Sequence, residues 1–261
     1  MIKDLFKKKG KEKQYKGVCV VAGNLGEVGA AIHKLLIKGG FQTFGIDKRE
    51  KKKVKLPKEC DFLHITIPFV ETKQFVGDVL KLIKKAKPKH IIIHSSVLPG
   101  TSLEIFEKAN VPVCYSPVRG QHDNLFNDLK RYEKYFSPLP RESADTFQEH
   151  FVAMGLKPSG YIKSPEELEL VKLLDVCQYG ILIGWAQECQ RALKNISADY
   201  SLLQMFQAEH INFYPSKRAD ITPGFAGGHC VEQDAILVDK IFKSDMLKAF
   251  LESNKRKRDE L

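Results

Sequence analysis

Several absences narrow the reading of this chain before any motif does. No apolar run in its 261 residues approaches the roughly 20 needed to span a bilayer, so no membrane partner is expected. The six cysteines (Cys19, Cys60, Cys114, Cys177, Cys189 and Cys230) are scattered and form no CxxC pair. Nothing at the start resembles a secretory h-region, so reduced thiols in a cytoplasmic setting are expected, with no disulfide framework and no metal. No nucleic-acid motif accompanies the formal charge of +10. The runs Lys7-Lys8-Lys9, Lys51-Lys52-Lys53 and Lys255-Arg256-Lys257-Arg258 therefore read as solvated faces, and no nucleic acid is expected as a partner. The last four residues resemble a retention signal of the endoplasmic reticulum, but without a signal peptide that address has no use.

What is present is a 43% hydrophobic chain, long enough for one large domain or two modest ones. After a polar lead over 1–16, Gly17 to Ala22 reads as a buried strand. It runs into Gly23-Asn24-Leu25-Gly26-Glu27-Val28-Gly29 and then a helix over Ala30 to Lys38. A second strand, Gln42 to Ile46, ends in Asp47. Strand, glycine turn, helix and a carboxylate about 20 residues on are the context of a dinucleotide site, and the carboxylate favours NAD over NADP. Lys48 and Arg49 follow it and soften that preference. The strict glycine pattern would place glycine at 24, where Asn24 stands; asparagine is among the residues that best tolerate positive φ.

The alternation continues. Strands are expected over Asp61 to Ile67, Ile91 to Ile93, Val111 to Tyr115 and Leu156 to Ile162; helices over Thr72 to Lys85, Leu103 to Ala109 and Ala144 to Met154. A parallel sheet of Rossmann type is the economical inference for 17–162, an α/β fold. Ser95-Ser96 and the Ser116-to-His122 turn then fall at its carboxyl edge, where ligands bind. From Ser164 the pattern turns helical, and Ser-Pro-Glu-Glu reads as a helix start. The apolar spacing persists to about Leu193, the spine of a helical region over 163–252 followed by a basic tail over 253–261. Gly180 and Gly184 on this helix suggest close helix approach, either within the core or across a homodimer. Further helices are expected over Leu202 to Ile211 and Ala235 to Leu251.

Thr222 to Asp234 places one cysteine, Cys230, after the small residues Gly227 and Gly228 and His229, with a carboxylate four residues on. Backbone donors or a nearby cation would favour its thiolate, which makes it a candidate nucleophile; a glycine turn with a half-buried thiol is the plainer alternative.

The order of Gly26-Glu27-Val28-Gly29, Ser95-Ser96-Val97-Leu98-Pro99-Gly100-Thr101, Tyr115-Ser116-Pro117, Glu169-Leu170-Val171-Lys172 and Gly227-Gly228-His229-Cys230 with Asp234 resembles the UDP-glucose/GDP-mannose dehydrogenase family, from about Gly17 to Val238. The resemblance implies an NAD-dependent oxidoreductase acting on a small-molecule substrate such as a sugar nucleotide. Cys230 would be the covalent nucleophile, Lys172 the cation that stabilises an oxyanion, and Asp234 and Ser96 the water site. Gly23 through Gly29, Asp47 and Ser95 would hold the cofactor. Arg119, His122, Gly227, Gly228 and His229 would face the substrate. A homodimer through the long helix from Ser164 would follow.

The departures are specific. Val176 replaces an asparagine four residues after the lysine, Val118 and His122 replace two glutamates, and Glu232 replaces a proline. The family's third domain has no counterpart in the sequence. Two alternatives accompany the main reading: a non-catalytic NAD-binding subunit or regulator, and a two-domain hydroxyacid-type dehydrogenase in which Lys172 is the acid or base.

Overall fold

The computed structural model describes residues 16–50, 55–213, 222–227, 231–241 and 243–261. Five strands are parallel: β1 (Val18–Ala22), β2 (Gln42–Ile46), β3 (Cys60–Ile65), β4 (Pro88–Ile93) and β5 (Val113–Tyr115). Three helices alternate with them: α1 (Glu27–Gly39), α2 (Thr72–Ala86) and α3 (Thr101–Ala109). The sheet order is β2-β1-β3-β4-β5, so the chain reverses direction across the sheet at β1, and the ligand crevice of such folds opens between β1 and β3.

Alternation along each strand makes two cores. Val20, Ala22, Leu63, Ile65, Ile91 and Ile93 pack towards α2 and the helical region. Cys19, Val21, Phe62, Ile92 and Cys114 pack towards α1, α4 (Leu125–Arg131) and α5 (Ala144–Ala153). Both faces are covered, which is why these strands are almost uniformly apolar in sequence.

The sixth strand differs from the expectation. It is β7 (Ser137–Leu139), antiparallel to β5, and not Leu156 to Ile162. Pro138 lacks an N–H, and only an edge position tolerates that loss. Of the expected strand, only β8 (Lys157–Pro158) is extended and paired, with β6 (Glu133–Lys134).

The long helix is α6 (Pro165–Lys194), 30 residues, entered through Ser164 with proline in its first turn. α7 (Ser201–Phe213) follows, then α8 (Val231–Ile241) and α9 (Asp245–Asp259). The apolar stretch read as one helix over Ala235 to Leu251 is thus two, and Ser244 caps the second by accepting from the Leu247 N–H at 3.4 Å. The basic residues expected as a tail are the last turns of α9, with Ser253 and Asn254 fully buried against α6.

Gly180 and Gly184 serve packing within the chain. A Cβ on Gly180 would lie 2.8 Å from Val231 Cγ1, and one on Gly184 3.0 Å from the Phe250 ring. They let α8 and α9 close on α6. Among the described residues no helix is long and apolar enough to cross a membrane.

Candidate functional site

The turn after β1 is built by close backbone contact. Gly23 has φ +90°, and a Cβ there would sit 2.7 Å from the Thr66 carbonyl oxygen. A Cβ on Gly29 would lie 2.0 Å from the Gly23 carbonyl oxygen, so neither position admits a side chain. Thr66 locks the crevice by donating from Oγ1 to the Ala22 carbonyl at 2.7 Å. Gly26 is the N-cap of α1 and offers no side-chain cap, which leaves the first turn of the helix suited to an anion. Glu27 and Val28 begin that helix. Asn24 turns back onto β2: its Nδ2 donates to Glu50 Oε1 at 3.2 Å, and it covers Gly45 so closely that a Cβ there would meet it at 2.2 Å.

Asp47 stands at the end of β2 as expected, but it is already engaged. Arg49 donates to Oδ1 from its backbone N and Nε, both at 2.9 Å, and to Oδ2 from Nη2 at 3.0 Å. The Leu25 N–H adds a bond at 3.2 Å. This fork holds the carboxyl down to about 2, chiefly through the Arg49 side chain. Sequence reading saw Arg49 only as a neighbouring charge, because a side chain folding back two residues leaves no spacing signal.

At the same edge Ser96 of the β4 turn and Lys172 of α6 lie within electrostatic reach of Asp234 on α8. Asp234 is 1% exposed, and among the described residues its Oδ2 has no hydrogen-bond partner. Burial pushes its carboxyl up to about 7, opposed by the Lys172 ammonium and the Ser96 hydroxyl. The adjacent Ser95 instead turns inward, donating to the Ile67 carbonyl at 2.7 Å.

Glu169, one helical turn before Lys172, fixes how α6 lies on the sheet. It accepts from the Gly100 and Ser102 N–H groups at 2.7 and 2.9 Å, closing the N-terminus of α3 from another element. Its own carboxyl is raised to about 7 by burial. Tyr115 ends β5 nearby, fully buried with an unpartnered hydroxyl, its pKa pushed up by burial and by the Glu169 and Asp234 carboxyls.

The Ser116 turn is organised by a lysine that sequence reading missed. Lys134 is 3% exposed, and its Nζ donates to the Ser116 and Pro117 carbonyls at 2.8 and 2.7 Å. Burial lowers it to about 7, helped by Arg119 and Lys172. Arg119 donates to the Glu133 carbonyl at 2.9 Å and lies 4.8 Å from the centre of the Tyr135 ring. Val118, in place of a carboxylate, packs against the core beneath α1, α4 and α5.

Behind this turn a row of buried histidines runs inward. His94 Nδ1 bonds the Ser116 carbonyl at 2.8 Å, His94 Nε2 meets His64 Nδ1 at 3.0 Å, and His64 Nε2 meets His150 Nε2 at 3.1 Å. A carbonyl only accepts, so it fixes the tautomer of all three neutral rings in turn. Cys19, His64 and His150 hold potential ligand atoms within 4.8 Å of one another, yet the His64 lone pair is spent on His150 and the Lys134 charge lies close.

Gly227 ends the described part of its loop, its N–H donating to the Phe225 carbonyl at 2.9 Å. Gly228, His229 and Cys230 lie outside the described residues, as does the side chain of His122. A hollow of about 230 Å³ lined by Lys16, Lys38, Phe126 and Lys130 sits at the opposite edge of the sheet, away from all of these groups.

The strand order and the crevice between β1 and β3 define a doubly wound, Rossmann-like α/β fold, and comparison with known proteins finds that fold among dehydrogenases. The chain is 24% identical to the UDP-N-acetyl-D-mannosamine dehydrogenase of Methanocaldococcus jannaschii over 290 residues, covering 92% of this chain and 65% of that protein. The Methanococcus maripaludis enzyme of the same name is 22% identical, with the same coverage. Among solved structures, the UDP-D-ManNAc dehydrogenase of Pyrococcus horikoshii superposes with a TM-score of 0.75 at 16% identity, covering 93% of this chain and 69% of that one. The 3-hydroxyisobutyrate dehydrogenase of Mycobacterium tuberculosis gives 0.63 at 14%, covering 93% and 94%. No family model matches. The chain therefore resembles the nucleotide-sugar dehydrogenases over the N-terminal part of their length, and it spans about 65% of the curated relatives it matches.

Proposed function

We propose that this chain is an NAD-dependent oxidoreductase that oxidises an alcohol of a sugar-like substrate, with Cys230 as covalent nucleophile. The observation that carries the reading is buried Asp234 within electrostatic reach of Lys172 and Ser96, from three separate elements, at the sheet edge that also holds the dinucleotide turn. Bound NAD supplies the hydride acceptor. The glycine turn and the uncapped start of α1 fit its pyrophosphate, since any Cβ at 23 or 29 would collide with backbone. Asp47 would accept from the ribose hydroxyls, with Arg49 as the group that must share it.

Lys172 places an ammonium where an alkoxide develops, and in a water-poor site that charge is worth most. Asp234, poised near neutrality, takes the proton the alcohol releases and later orients water, held with the Ser96 hydroxyl. The thiolate of Cys230 would add to the aldehyde carbon left by the first oxidation. The thiohemiacetal would lose a second hydride, for which a second equivalent of NAD is the acceptor, and water would then displace the sulfur from the resulting thioester to give the acid. A nucleotide sugar is the favoured substrate class because the sequence relatives are named for one. A homodimer through α6 and α7 is favoured by the exposed Trp185, Met205 and Phe206.

A second reading draws support from the hydroxyisobutyrate dehydrogenase, whose own length is matched almost throughout. There Lys172 alone would serve as acid or base. The test is NADH formation across UDP-sugars and hydroxyacids, with Lys172→Ala and Cys230→Ser. Lys172→Ala should lower kcat by about 10²–10³-fold in both readings, while Cys230→Ser should block acid formation only in the first. Stabilisation by NAD with no NADH from any substrate would leave a binding subunit.

A further inference from the structure

The segment leading towards Cys230 is gripped by a side chain from the far end of the chain. Asn254 of α9 is 0% exposed. Its Oδ1 accepts from the Ala226 N–H at 2.9 Å and its Nδ2 donates to the Ala226 carbonyl at 3.2 Å. One amide thus satisfies both backbone groups of one residue, as a neighbouring strand would. Gln187 of α6, 1% exposed, extends the grip: its Nε2 donates to the Gly224 carbonyl at 2.7 Å and to Asn254 Oδ1 at 3.2 Å.

The two amides are themselves held in one orientation. Ser253 Oγ donates to Gln187 Oε1 at 2.9 Å, and Arg191 donates to Ser253 Oγ and to its carbonyl, both at 2.9 Å. On the far side of the loop, α8 is anchored by buried Asp234, Ala235, Leu237 and Val238. In sequence, Cys230 is three residues after Gly227 and one before α8, so the described backbone on either side of it is held.

We propose that Asn254, oriented by Gln187, is a positioning residue: it fixes the backbone at Ala226, four residues before Cys230, and so the course on which the chain leaves for that cysteine. This rests on the reading of Cys230 as nucleophile. Neither amide need touch substrate. Asn254→Ala leaves the Ala226 N–H and carbonyl without partners in a buried site, so the loop must move to find others. A shift of about 1 Å in such a support costs on the order of 10²-fold in turnover.

The experiment uses the full chain as wild type, Asn254→Ala and Asn254→Asp. It reads kcat and KM, alkylation of Cys230 by iodoacetamide mapped by mass spectrometry, and hydrogen exchange of the Ala226 amide. Cys189, half-exposed on α6, is the internal alkylation control. The expected result for Asn254→Ala is kcat lower by about 10²-fold with KM for NAD within about twofold, altered Cys230 alkylation with Cys189 unchanged, and much faster exchange at Ala226. Asn254→Asp preserves the shape should the alanine variant not fold. Its protonated carboxyl donates to the Ala226 carbonyl and its ionised form repels it, so its kcat relative to wild type should recover as pH falls.

A folded Asn254→Ala with wild-type kcat and Cys230 reactivity overturns the proposal, as does an Asn254→Asp whose ratio to wild type is flat with pH. Wild-type protein without turnover, its Cys230 no more reactive than Cys189, overturns the nucleophile reading instead. In that case unchanged Ala226 exchange in Asn254→Ala would also remove the clamp, and faster exchange would retain it as a structural support.

Discussion

Asp234 is the residue whose surroundings most constrain chemistry, and its titration makes a test. The folded carboxyl is raised to about 7 from an ordinary value of 3.8, so the folded chain binds that proton more tightly than the unfolded one. Below the ordinary value both states are protonated and nothing is lost. As pH rises through the window to about 7 the unfolded state ionises first and stability falls; above it the deficit is constant. Asp234→Asn should therefore gain on wild type across that window, by on the order of 2 kcal/mol in urea denaturation at matched pH. A gap that does not change with pH sinks the account. The buried histidines and Lys134 titrate alike in both proteins and cancel. Asp47 offers a second residue-scale test: Asp47→Ala should weaken NAD about tenfold and narrow its advantage over NADP, read by cofactor titration. An unchanged ratio would mean that Arg49 keeps Asp47 from the ribose. Asp47 was named from its spacing after the glycine turn, and Ser96, Lys172 and Asp234 from the resemblance of their motifs to a known family. Lys134, Glu169 and Asn254 had no assigned role in that reading, since burial and partner are properties of the packed chain.

Elements were legible where one pattern had one solution. The strand ending at Ile46 and the 30-residue helix match expectation to within a residue or two, because apolar runs and a Ser-Pro start admit little else. Boundaries failed where charge misled: Lys255 to Arg258 look like a solvated tail, yet Arg256 pairs with Glu188 and Lys257 reaches Gln190 at 2.7 Å, so α9 continues along α6. The two glycines on α6 had two open explanations, and only packed coordinates choose between them. Gly180→Ala should destabilise by about 1–3 kcal/mol, since Val231 and Phe250 must move. Gly77→Ala in α2, where nothing lies within 4 Å, should instead stabilise by about 0.5–1 kcal/mol. Denaturant midpoints check both, and equal costs would refute the packing assigned to α6.

For the whole molecule, the clearest unfinished surface is helical. Trp185, Met205, Phe206 and Phe213 are between 68% and 76% exposed, a concentration that isolated surface residues do not explain. If the proposed homodimer forms through this surface, wild type should sediment as a dimer and Trp185→Glu with Phe206→Glu as a monomer, with little change in cofactor binding; the same species for both would refute the association surface. The α/β order of the first 162 residues was readable from strand and helix periods alone, but the place of the last strand was not. An edge can be taken by any short segment that reaches it, and here β7 does so with Pro138 at its centre and Pro140 just after it. The two rims of the sheet are consequently unequal as templates. A strand arriving from another chain would meet missing donors along β7, so among the described strands of this sheet β2 is the better template for runaway growth. Stray self-association during folding is therefore more a hazard of the β2 rim than of the β7 rim.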